Sequence, residues 1–182
     1  MTSAEFDPVE SLEDRVGLDK AYQDPRKVYM EGDSMYVAGT SSLGDAADDL
    51  ALPFGLTRGT QIYTDAERVL KASPKIRRVV GHSLGGAVAL EMQRDHPELK
   101  TRTYGAPVVS MTPGERYKSA GDPVSALDPG AKTPVPKSLN PHSYQDVGAR
   151  LHTAVPGVGS GSSGHTGLLV YRSDLAHEPL RS

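Results

Sequence analysis

The sequence predicts an α/β fold, with a central, mostly parallel sheet flanked by helices. Three observations carry that expectation. Short apolar runs alternate with segments of helical period through the middle of the chain. The stretch Val79-Val80-Gly81-His82-Ser83-Leu84-Gly85-Gly86 reads as a strand turning sharply into a helix. The length of 182 residues suits one domain with a single core, and no repeat divides it. The whole span 1–182 therefore reads as one domain, with fraying expected at 1–7 and 173–182.

The elements follow in order. Residues 8–24 mix charges with Val9, Leu12, Val16, Leu18 and Tyr22, which suits a short helix. Lys27 to Met30 and Ser34 to Ala38 form a hairpin closed at Gly32-Asp33, and the second strand runs into Gly39-Thr40. Pro53 to Gly59 is turn-like. From Thr60 to Ala72, Ile62, Ala66, Val69 and Leu70 recur at helical spacing, and Pro74 closes that helix. Ile76 to Val80 is the strand feeding the sharp turn, and Ser83 to Arg94 is the helix after it, stopped before Pro97. Lys100 to Tyr104 and Glu115 to Ala120 are further strands. The Pro- and Lys-rich residues 129–141 read as a surface loop. The Gly/Ser-rich residues 156–164 read as a loop too, and Gly167 to Tyr171 as a last strand.

Composition excludes several classes of function. Net charge is −3, so no electrostatic case exists for nucleic acid or an anionic membrane surface. The absence of cysteine removes disulfides, thiol catalysis and Cys-based zinc sites. Mean hydropathy is −0.43. No run approaches the roughly 20 apolar residues of a membrane-spanning helix. The acidic start, Met1 to Pro8, does not read as a secretory signal, so the cytoplasm is the default expectation.

The chemistry centres on Ser83. Gly81-His82-Ser83-Leu84-Gly85 is a G-x-S-x-G turn, in which the glycines remove Cβ atoms that a tight strand-to-helix crossing would clash. A serine hydroxyl is a weak nucleophile and requires a base within reach and a third group to orient that base. Asp122, between Gly121 and Pro123 after a strand, suits the acid, although Gly-Asp-Pro is also ordinary turn chemistry. His142, His152, His165 and His177 all follow it. His165, after the glycine-rich loop and before an apolar run, is the favoured base, and His142 is the runner-up. His152 and His177 read as incidental, His96 as a surface residue, and His82 as a packing residue facing away from the cleft. The oxyanion needs two donors. Leu84 N–H is one expectation, and Thr40, after Gly39, is placed for the other, though Gly-Thr also occurs as a plain turn.

Four stretches in this order resemble the class 3, fungal-lipase-like family of α/β-hydrolases. They are Val37 to Ser42 with Asp45 and Asp49-Leu50, Val80 to Gly86 with Ala87 and Ala89, Thr103 to Pro107, and Arg116-Tyr117 through Gly121-Asp122-Pro123-Val124. The resemblance spans residues 28–171. It implies a compact α/β-hydrolase fold with a minimal cap, Ser83 as nucleophile, Asp122 as acid, and Thr40 with Leu84 as the oxyanion pair. It also implies that His142 matches the family's non-catalytic histidine and His165 the base. The chain departs from the family where Val37-Ala38 replaces Phe-Arg and where Ala46 replaces a tryptophan. The stretch Leu43 to Asp49, the family's apolar lid, carries three aspartates. A preference for short or dispersed esters, or polar lipids, is therefore expected, without activation at an oil surface.

The function implied is a carboxylic ester hydrolase acting on small-molecule or lipid esters, without metal or organic cofactor. Transient contact with a lipid surface is compatible with the resemblance. The alternative is a catalytically weak or inactive binding module on the same fold. The short length, the lost Arg and Trp, and the expected flexible loop before His165 favour that alternative; the ordered Ser, Asp and His set opposes it.

Overall fold

The computed structural model describes residues 8–40, 56–107, 112–119, 121–122, 124–125 and 128–135. These form a six-stranded sheet in the order β1-β2-β3-β4-β5-β6. The strands are β1 (Val28–Glu31), β2 (Ser34–Val37), β3 (Arg78–His82), β4 (Lys100–Tyr104), β5 (Glu115–Ser119) and β6 (Lys132–Val135). Only β1 runs antiparallel, paired with β2 from Val28↔Val37 to Glu31↔Ser34. The other neighbours are parallel. Gly32, at φ +61°, makes the turn between β1 and β2, a conformation that glycine adopts without steric cost.

Helix α1 (Pro8–Gln23) covers one face of the sheet. Helices α2 (Gln61–Ala72) and α3 (Leu84–Asp95) cover the other. Side chains alternate along each strand. Tyr36, Ala38, Val80 and Tyr104 therefore pack with Leu18 and Ala21 of α1. Met35, Val37 and Val79 pack with Ala66 of α2 and with Val88, Ala89 and Met92 of α3. Strands buried on both faces read as continuous apolar runs, which is why Val79-Val80 showed no alternation. The periodic residues of α2, Ile62, Val69 and Leu70, lie against the second cluster. Thr60 caps that helix by accepting from Tyr63 N–H at 3.2 Å.

On the α1 face a buried charged cluster ties helix to sheet. Asp14 is fully buried and accepts from Arg78 at 2.6 Å and from Tyr104 Oη at 2.8 Å. Arg102 stands 3.4 Å from Asp14 and 2.7 Å from Glu115. Burial pushes the Asp14 carboxyl above the usual carboxylate range, against the pull of Arg78, Tyr104 and Arg102. Arg102 is raised as well. Burial works against its charge, but Tyr104, Asp14 and Glu115 together make it a stronger base. Asp14 is the more enclosed partner, and Arg102 has Glu115 as a second carboxylate, so the two shifts are compatible.

Two expectations differ from the structure. The strand entering the turn covers 78–82 instead of 76–80; Ile76 precedes it and is still buried. Residues 129–141, expected as a loop, contain β6. Proline at position 134 disguises that strand, but it falls where the β5–β6 register is irregular, and β6 is the outermost strand among the described residues, places where proline is tolerated. The loop at 156–164, the strand at 167–171 and the termini at 1–7 and 173–182 lie outside the described residues. Among those described, no helix is long and apolar enough to cross a membrane.

Candidate active site

Parallel strands bring their carboxyl ends to one edge of the sheet, and the sequence-predicted residues that are described gather there. Ser83 joins β3 to α3. Its backbone sits at φ +54° and ψ −127°, and only Lys27 shares a positive φ among the described non-glycine residues. Such a conformation costs about 1–3 kcal/mol and persists only where the surroundings enforce it. Three sets of contacts enforce it here. Ser83 N–H donates to Tyr104 carbonyl at 3.0 Å, which extends the β3–β4 ladder to the turn itself. Ser83 carbonyl accepts from Gly86 and Ala87 N–H at 2.9 and 3.2 Å, which starts α3. The helix then crosses so close to the sheet that side chains at the glycines are excluded. A Cβ on Gly81 would stand 2.3 Å from the Gly85 carbonyl oxygen, and one on Gly85 would stand 2.2 Å from that of Val37.

Ser83 is buried, and its side chain makes no capping bond to α3. The first N–H groups of a helix, Leu84 among them, have no intrahelical partner and carry the positive end of its dipole. Gly39 closes over this point from the end of β2. A Cβ there would stand 2.9 Å from Ser83 Cβ and 3.2 Å from Leu84 N. Thr40 follows directly, and its Oγ1 is buried with no hydrogen-bond partner among the described residues. The structure thus brings Gly39, Ser83 and Leu84 into contact, with Thr40 next in the chain.

Asp122 is almost wholly buried beyond the end of β5, on the same edge. Its carboxylate accepts from Val124 N–H at 2.9 Å and from Ser125 Oγ at 2.5 Å. The first bond is the turn chemistry that Gly-Asp-Pro suggests, and both bonds fix the carboxylate's orientation. β3 and β5 are separated by β4, so two strand spacings, about 10 Å, lie between the Ser83 and Asp122 ends. His165 and His142, as well as His152 and His177, lie outside the described residues, and so does the acidic stretch 43–49.

His82 projects to the α1 face, away from the α3 side of the sheet, and is buried. Its Nδ1 is 2.5 Å from the Tyr22 hydroxyl. That hydroxyl also accepts from Gly39 N–H at 3.3 Å. Sequence reasoning missed Tyr22 at the site, since nothing local to α1 points sixty residues ahead. Ser125 was missed as well, although an Asp-x-x-Ser spacing in a turn is a usable signal. His96, expected at the surface, is partly buried at the end of α3, with Nε2 3.0 Å from Glu67 Oε1.

A polar cleft of about 820 Å³ opens at the opposite edge of the sheet, between Arg77, Lys100, Arg102 and Glu115. It belongs to the amino ends of β3, β4 and β5 and is lined by none of the residues around Ser83. Comparison with protein-family models, with curated proteins and with solved structures returns no match.

Proposed function

We propose that this chain is a serine ester hydrolase of the α/β-hydrolase kind, acting on carboxylic esters of lipids or small molecules through an acyl-enzyme. The observation that carries the reading is the backbone of Ser83. A serine held at positive φ between a buried parallel strand and a helix N-terminus, with a second loop seated on it, is costly to build. Such strain gathers where a side chain must be presented to a reaction.

In the proposed reaction Ser83 Oγ attacks the ester carbonyl carbon while His165 takes its proton. Asp122 holds the imidazole in orientation. Leu84 and Thr40 N–H groups receive the oxyanion of the tetrahedral intermediate. Collapse breaks the bond to the alcohol, which leaves with the proton from His165. Water, deprotonated by His165, then attacks the acyl-enzyme and restores Ser83. The reaction calls for no metal or organic cofactor.

The test is labelling with a fluorophosphonate and turnover of p-nitrophenyl butyrate, with Ser83→Ala in parallel. The wild type should label stoichiometrically and Ser83→Ala not at all. His165→Ala should abolish turnover, whereas His142→Ala should only reduce it; the reverse would move the base to His142. A wild-type chain that neither labels nor turns over would refute the hydrolase reading.

A further inference from the structure

We propose that the Tyr22 hydroxyl is a positioning group for the oxyanion side of this site, an inference that rests on the hydrolase reading. The hydroxyl connects three separate elements. It comes from the end of α1, meets Nδ1 of His82 at the end of β3 at 2.5 Å, and meets Gly39 N–H in the loop after β2 at 3.3 Å. Burial raises its pKa to about 12, against the opposing pull of the Gly39 N–H, so it keeps its proton at neutral pH. A phenol has one proton to give. Gly39 N–H can only donate, so the Tyr22 oxygen accepts there. The same oxygen is bonded to His82 Nδ1, with the donor of that bond set by the imidazole's tautomer.

The consequence for the site lies in the peptide before Thr40. Gly39 rests on Ser83 and Leu84 only because it lacks a Cβ. Absence of a side chain permits that approach but does not hold it. The bond from Gly39 N–H to Tyr22 holds it, and the bond from Tyr22 to His82 ties the same hydroxyl to the residue preceding the nucleophile. The Thr40 donor is thus referenced to Ser83 through Tyr22. Oxyanion donors act through fixed placement, and small displacements of reacting groups are expensive. Tyr22 lies on the α1 side of the sheet and acts through Gly39, without touching substrate.

The experiment is Tyr22→Phe, which removes the hydroxyl and keeps the ring. With p-nitrophenyl butyrate, kcat should fall roughly 10- to 100-fold while KM stays within about twofold, because the lost placement matters only in the transition state. Fluorophosphonate labelling of Ser83 should still reach completion, but more slowly. If Tyr22→Phe melts well below the wild type, two substitutions at the other end of the bond decide. His82→Asn places an amide, able to accept or donate, where Nδ1 stands and should retain kcat, whereas His82→Leu should lose it as Tyr22→Phe does. A folded Tyr22→Phe with wild-type kcat overturns the inference and leaves the hydrolase reading intact, and so does equal activity of His82→Asn and His82→Leu. A wild type that neither labels nor turns over overturns both.

Discussion

Ser83 occupies a backbone conformation that glycine adopts without strain and an L-residue does not. Ser83→Gly should therefore unfold at higher urea than the wild type, by up to about 1–2 kcal/mol, while losing all turnover. Ser83→Ala keeps a Cβ and the strain, and should unfold within about 0.5 kcal/mol of the wild type. A chain in which glycine at 83 brings no stabilisation would remove the argument that the turn is strained. Gly81 was legible because its reason is local: a Cβ there would meet the Gly85 carbonyl, four residues on, whereas a Cβ on Gly85 would meet Val37 of the neighbouring strand. Gly39 was legible only as a turn. Its contact with Ser83 crosses from one strand end to the next.

Among the elements, α1 shows how far residue pattern and packing can part. Its sequence offers Leu12 and Val16 as apolar positions, yet both are exposed, at 42% and 44%. The helix instead turns Asp14, Leu18 and Ala21 inward. Arg78 and Arg102, on the facing side of β3 and β4, require a counter-charge in a buried place, and Asp14 supplies it. Asp14→Ala would leave Arg78 without a carboxylate among the described residues and Tyr104 without its acceptor. It should cost about 3–5 kcal/mol in chemical denaturation. Leu12→Ser and Val16→Ser should each change stability by less than about 0.5 kcal/mol. Because α1 carries Tyr22, loosening this cluster should also lower kcat. Strand β6 was hidden for a related reason: a proline argues against a strand until the pairing shows it at an irregularity in register, on the outermost of the described strands.

At the scale of the whole described molecule, Tyr22, Tyr36, Tyr104 and Tyr117 gather on the α1 face of the sheet. Burial raises the pKa of Tyr36, Tyr104 and Tyr117 above the ordinary value of 10.0, and that of Tyr22 to about 12. In the unfolded chain these phenols lose their protons near pH 10, whereas the folded chain holds them. The folded state thus binds more protons above that pH. Stability is fully present below pH 10 and falls as pH rises towards 12 and beyond. The share of tyrosinate absorbance that Tyr22→Phe removes should appear in the same alkaline transition as the loss of far-ultraviolet circular dichroism. That share appearing well before the loss of helix would contradict the assigned burial.

The sequence by itself determined the mixed α/β pattern and the strand–turn–helix at Gly81 to Gly86. Both rest on short-range sterics and on the apolar runs of strands buried on two faces. The partners of that turn were decided only by tertiary structure. The strand order sets Gly39 beside Ser83 and Asp122 two strands away, and the packing of α1 aims Tyr22 at His82 and Asp14 at Arg78. A hydrogen bond or ion pair between residues some sixty positions apart leaves no periodicity in the chain. It exists only once the sheet has fixed which ends meet.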